Sequence, residues 1–180
     1  MKKGLKILLT AEALINLSGG FFGPIYAIFV QQIGGNILDA GGAYSIYLLA
    51  AGILVFLISR WEDHIKHKEN LVIAGYGLTC LGFIGYLFVQ NPIHLFIVQA
   101  ILGLALAVNA PAYDALYSKF LDKGKFASEW GLHETQYYLV TAIGALIGAF
   151  IADIYGFRRL FMTMAAVSFI GFLISLKLKK

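Results

Sequence analysis

Residues 5–31 read LKILLTAEALINLSGGFFGPIYAIFVQ, an apolar run whose only charges are Lys6 and Glu12. About 20 such residues are enough for a helix to cross a hydrocarbon core of roughly 30 Å, so this run reads as a membrane-spanning segment. Within it Glu12, Asn16, Gly19, Gly23 and Tyr26 follow steps of four, three, four and three, the spacing of a single helical face. Polar and ionisable side chains are costly inside a membrane and normally face a bundle interior or a wet cavity. The stretch therefore predicts a helix with one lipid-averse stripe, interrupted at Pro24.

Five further apolar runs follow, at about 40–59, 70–90, 93–118, 134–153 and 159–177. The connections between them are short, and the 180 residues form a single six-span domain with no separate soluble part. Only 13% of the residues are charged, 59% are hydrophobic, and the mean hydropathy is +0.78. A soluble domain carries about 25% charged residues, so the expectation is an all-α polytopic membrane protein embedded in a lipid bilayer. The basic balance is explained by where the charges lie, and no nucleic-acid partner is expected.

Lys2 and Lys3 precede the first span and Lys6 stands at its very start, and Arg60, Lys66 and Lys68 fall between the second and third. Lys119, Lys123 and Lys125 fall between the fourth and fifth, and Lys177, Lys179 and Lys180 close the sequence. The opposite side carries only Arg158 and Arg159. By the positive-inside rule both termini are cytoplasmic, in a cell membrane. The first run is too long for a signal peptide and ends in QQIGGN rather than a small-residue cleavage site, so it reads as an uncleaved helix. Cys80 is the only cysteine, which excludes an internal disulfide framework and leaves a buried structural thiol as its default role.

The fourth run repeats the striped pattern with Gln99, Gly103, Ala107, Ala110, Asp114 and Tyr117, and the fifth with Glu134, Tyr138, Thr141, Ala145, Gly148 and Ala152. The third and sixth hold small residues but no internal charge, and read as outer packing helices. Pro24 in FGPIYAIF (22–29) is matched by Pro111 in NAPAYDAL (109–116), each within Pro-x-Tyr and each about two-thirds along its run. A proline removes one backbone hydrogen bond and kinks a helix. Spans one and four run in opposite directions, so the kinks fall toward opposite membrane faces. Interrupted helices at corresponding positions of two repeats point to a transporter binding site, and the arrangement fits an inverted three-plus-three repeat. Chance sharing of Pro-x-Tyr by two kinked helices is the competing reading.

These residues resemble one six-helix half of a major facilitator superfamily transporter, most like its N-terminal half. The family's loop between helices two and three, Gly-x-x-x-Asp-Arg-x-Gly-Arg-Arg, corresponds to SRWEDHIKHK (59–68). Asp63 takes the acidic position and Lys68 the final basic one, while His64 and His67 replace arginines and Ser59 and Lys66 replace glycines. The helix-four pattern Leu-x-x-x-Arg-x-x-x-Gly is similar to Leu95 through Gly103, with Gln99 in place of the arginine. Gly144 and Gly148 follow the helix-five pattern Gly-x-x-x-Gly-Pro, with Ala149 in place of the proline, and Gly156–Phe157–Arg158 resembles the turn into helix six. A full member has twelve helices. The resemblance therefore implies a half-transporter acting as a homodimer or with a second six-helix half, whose halves are related by an axis along the membrane normal.

The candidate pathway residues are Glu12, Asn16, Tyr26, Gln99, Asn109, Tyr113, Asp114, Glu134 and Tyr138, with kinks at Pro24 and Pro111. Glu12 either binds a cation or proton or is an interfacial carboxylate near the amino-terminal lysines. Asp114 and Glu134 either face the path or bond to loops. Asn16, Gln99 and Asn109 either contact a solute or bond across helices. The tyrosines, Tyr137 included, either stack on a solute or pack among themselves. His64 and His67 lie in solvated charge without a cysteine, so no metal site is expected. Ser18 in SGGFFG resembles a rhomboid protease motif, but the sixth span offers no histidine to serve as base, and no enzyme activity is expected. Nothing resembles a phosphate loop, and no cofactor is expected. The expected function is alternating-access transport of a small solute, with proton coupling or a cationic solute suggested by three acids against no base on the stripes. The rival is a non-transporting membrane scaffold or assembly partner built on a degenerate or truncated half.

Overall fold

The computed structural model describes residues 2–179, and every regular element among them is helical. In chain order these are α1 (Lys3–Gly20), α2 (Tyr26–Gln32), α3 (Ile37–Glu62), α4 (Lys68–Gly85), α5 (Pro92–Phe120) and α6 (Phe126–Ser175). Short 3-10 turns occupy Gly23–Ile25, Tyr86–Phe88 and Leu176–Lys179. Counting α1 and α2 as one interrupted rod, five helices are long and apolar enough to cross a membrane.

The two prolines inside the apolar runs have different surroundings. Pro24 has no N–H to donate to the preceding turn and lies in the 3-10 turn between α1 and α2. The Phe22 N–H donates to the Gly19 carbonyl at 3.3 Å and the Ile25 N–H to the Phe22 carbonyl at 3.1 Å, three-residue bonds that tighten the path there. Pro111 removes one bond of the same kind from α5, which nevertheless runs from Pro92 to Phe120.

Helix starts are fixed by side chains. The Asn36 Oδ1 accepts from the Leu38 and Asp39 N–H groups at 2.7 and 3.1 Å, and the Asp39 carboxylate accepts the Asn36 N–H at 2.8 Å. This reciprocal box satisfies donors that α3 would otherwise leave bare. Asn91 caps α5 by accepting the His94 N–H at 3.1 Å, and Pro92 stands at the first helical position, where its missing N–H costs nothing.

The 50 residues of α6 would span about 75 Å if straight, far beyond one bilayer thickness. The helix is broken at Gly156, whose φ of 79° and ψ of 167° are non-helical. That conformation belongs essentially to glycine. The expected spans at 134–153 and 159–177 fall on either side of this residue.

Two buried clusters hold the bundle. One is aromatic: Phe22, Phe29, Tyr86 and Phe161 meet with ring centroids 4.8 to 6.5 Å apart, mostly edge to face. The other gathers Leu5, Leu8, Val72, Tyr76, Leu116 and Tyr117 nearer the chain ends. The bundle's outside is apolar too. Leu49, Ile53 and Phe56 on α3 and Leu139, Leu146 and Phe150 on α6 are exposed, as expected where lipid replaces water as the solvent.

Helices α1 and α6 touch backbone to backbone. At Gly148 an added Cβ would run into the Phe21 main chain, and at Gly144 it would lie 2.7 Å from the Leu17 carbonyl oxygen. The small-residue spacing of the fifth run thus becomes the α1–α6 seam.

Candidate functional site

A cavity of about 480 Å³ opens between these helices. Of the pathway residues named from the sequence, Glu12, Asn16, Tyr26, Gln99 and Asn109 line it, as does Pro24. Tyr113 is buried, 4% exposed, and packs toward His133 instead. Asp114, Glu134 and Tyr138 are exposed and are not part of the lining. Pro111 is half-buried and also outside the lining.

Glu12 is the one acid among the described residues that line this cavity. Its carboxylate accepts a short hydrogen bond from the Tyr76 hydroxyl on α4 and a second, at 3.3 Å, from the Asn16 amide one turn along α1. On the opposite wall the Gln99 Nε2 donates to the Tyr26 hydroxyl at 2.9 Å, joining α5 to α2. The Asn109 Oδ1 and the Thr141 hydroxyl are buried without a protein partner. Such atoms cost free energy unless water or a ligand satisfies them, and both belong to cavity-lining residues. The site thus combines one carboxylate, three amides, two threonine hydroxyls and tyrosines on apolar walls, the mixture of a small-molecule pocket.

Residues beyond the sequence-derived set complete it. Helix α4, read from the sequence as outer packing, supplies Tyr76 to Glu12 and Thr79 and Phe83 to the wall. It reaches the site because Gly75 has no side chain: a Cβ there would lie 3.0 Å from the Asn109 Cα. The signal was the Gly75–Tyr76–Gly77 triplet, in which a lone polar tip stands between two small residues. Tyr44 and Tyr47 on α3 also line the cavity, as does Tyr137 on α6, one of the tyrosines weighed from the sequence. Tyr44 and Tyr137 are exposed, 55% and 42%, so the cavity opens to the surroundings on their side.

The loop residues form a separate local cluster. The His64 Nδ1 lies 3.0 Å from the Arg60 carbonyl oxygen, and the Lys68 Nζ donates to the Glu62 carbonyl at 2.9 Å. Asp63 is exposed. Its neighbour Glu62 is the buried acid, 2% exposed with neither carboxylate oxygen hydrogen-bonded.

The sequence profile of the Major Facilitator Superfamily matches residues 8–180. The chain belongs to the major facilitator superfamily. It is 31% identical over 159 residues to the multidrug resistance protein MdtG of Proteus mirabilis, which covers 85% of this chain and 39% of that relative. It is 23% identical over 154 residues to the uncharacterized MFS-type transporter YitZ of Bacillus subtilis, covering 86% of this chain and 93% of YitZ. Among solved structures, the POT family transporter PepTSo superposes with a TM-score of 0.71 at 12% identity, over 98% of this chain and 37% of that one. The chain therefore spans nearly all of YitZ but about two-fifths of MdtG. As a superfamily member with several long apolar helices it is a multipass membrane protein of a transporter family.

Proposed function

We propose that this superfamily chain moves a small solute across the membrane by alternating access, coupled to protons through Glu12. The observation that carries the proposal is Glu12 itself: a carboxylate held by Tyr76 and Asn16 inside a cavity whose remaining wall is uncharged, made of aromatic, aliphatic, amide and hydroxyl groups. An acid in such a place binds a cation or a proton in exchange for its hydrogen bonds. The multidrug resistance name of MdtG supports a drug-like solute, and the Glu12 carboxylate supports a cationic one, as the class to test.

On this reading the chain makes six crossings, with Gly156 dividing α6 into two spans. The two groups of three spans form an inverted repeat, and both termini are cytoplasmic. One six-helix unit leaves the cavity open beside Tyr44 and Tyr137, so a second unit is needed to close the path. A second copy of this chain, with its cavity facing the first, supplies it. The near-complete span of YitZ supports a unit of this size.

The test uses the purified chain in vesicles with an imposed pH gradient and ethidium as a fluorescent lipophilic cation. Gradient-driven ethidium movement is expected, and Glu12→Gln is expected to abolish it. Movement that persists unchanged in Glu12→Gln would remove Glu12 from the mechanism. A vesicle population with no movement of any tested cation, and full protection of the cavity from water, would favour a non-transporting scaffold.

A further inference from the structure

A second cavity, of about 330 Å³, lies at the end of the bundle that carries both described termini. Three lysines from three separate elements surround it: Lys3 in the first turn of α1, Lys119 in the last turn of α5 and Lys177 in the final 3-10 turn. Among the described residues none of the three forms an ion pair; the nearby lysine–acid pair is Lys2 with Asp122, at 3.5 Å. The one acid on the lining is Glu69, and its carboxylate is already engaged by the His67 Nδ1 at 2.9 Å. The remaining wall is apolar, formed by Ile7, Leu116, Phe120 and Leu178.

From this arrangement we propose a binding site for the phosphodiester headgroup of an anionic phospholipid. Three lysines against the single carboxylate of Glu69 give the lining an excess of positive charge, which suits an anion. Their position at the ends of membrane helices places them at headgroup depth, where each lysine attracts anionic lipid. The apolar flank separates this occupant from a freely diffusing phosphate. Ile7, Phe120 and Leu178 offer a surface for the glycerol and upper acyl carbons, which an inorganic anion would leave bare. The site is independent of the transport path: it shares no lining residue with the central cavity.

The experiment incorporates the full chain into nanodiscs of equal phosphatidylglycerol and phosphatidylcholine and measures retained lipid by native mass spectrometry. Phosphatidylglycerol is expected to be retained in preference. Each of Lys3→Gln, Lys119→Gln and Lys177→Gln should weaken that preference about fivefold, the effect of one lysine near an anionic surface, and the triple variant should abolish it. The matched triple Lys66→Gln, Lys123→Gln, Lys125→Gln removes equal charge outside the cavity and should keep the preference. Lys119→Arg should keep it as well, and helical content by circular dichroism confirms that each variant is folded. Equal retention of the two lipids by the unaltered chain would overturn the proposal, as would equal loss in the matched triple. In phosphatidylcholine nanodiscs, inorganic phosphate alone should not protect Lys119 from amine acylation. Protection as complete as that given by phosphatidylglycerol would mean a free-anion site and would also overturn it.

Discussion

Glu12 and Glu62 are both acids on membrane helices, and their surroundings differ sharply. Glu12 accepts from Tyr76 and Asn16, whereas the Glu62 carboxylate is buried with neither oxygen paired. Hydrogen bonds to charged groups contribute about 1.5–3 kcal/mol each. Tyr76→Phe should therefore lower stability by that amount, read as the unfolding midpoint in mixed micelles, and loosen the cavity end of α4. Glu62→Gln should do the opposite, raising the midpoint and with it the stability by about 1–3 kcal/mol, because a buried carboxylate without a hydrogen bond carries an unrecovered desolvation cost. A lower midpoint for Glu62→Gln would show that the carboxylate is paired in the membrane. The sequence distinguished neither role. Periodicity marks a polar residue on a helix face, but not which neighbouring helix offers it a donor.

The α1–α6 seam is the element on which the site's width depends. Gly144 and Gly148 let the backbone of α6 meet Leu17 and Phe21 directly, and Thr141 and Tyr137, one and two turns away, are thereby brought to the cavity wall. Gly148→Leu should separate the helices at an overpacking cost of about 3 kcal/mol or more. Leu146→Ala, at a position 76% exposed, should change stability far less. Comparable losses for the two would place the seam elsewhere. The glycine spacing was visible in the sequence as a helix-packing pattern. Which helix it met was not, because a small-residue stripe specifies close approach without naming the partner. For the same reason α4 looked peripheral until Gly75 was seen against Asn109.

At the scale of the molecule, the apolar exterior and the polar cavity predict two labelling classes. Cys80 is buried, 4% exposed, so single-cysteine variants can be read against a quiet background. Asn16→Cys and Asn109→Cys should react with a membrane-impermeant maleimide, and Leu146→Cys should react only with a lipid-soluble one. Complete protection of both asparagine positions would mean that no aqueous path reaches the cavity. Tyr137→Cys, on the open side, should crosslink two copies of the chain if a second copy closes the path. Exclusive monomers in native membranes would leave that closure to a different partner.

The membrane class, the helical character of the apolar runs and the polar stripe of α1 followed from the sequence alone. Hydrophobic length and the cost of polar groups in lipid depend only on which residues occur and at what spacing. The same argument singled out Glu12, Asn16, Tyr26, Gln99 and Asn109, all polar or amphipathic residues in apolar surroundings. Only the tertiary structure decided that Tyr76 holds Glu12 and that Tyr137 rather than Tyr138 lines the cavity. Adjacent residues on a helix point about 100° apart, so the helix's rotation against its neighbours makes that choice. It also left Asp114 and Glu134 outside and brought Lys3, Lys119 and Lys177 around one cavity. These outcomes depend on which helices meet, and how closely, and that is set by glycine contacts between segments distant in sequence.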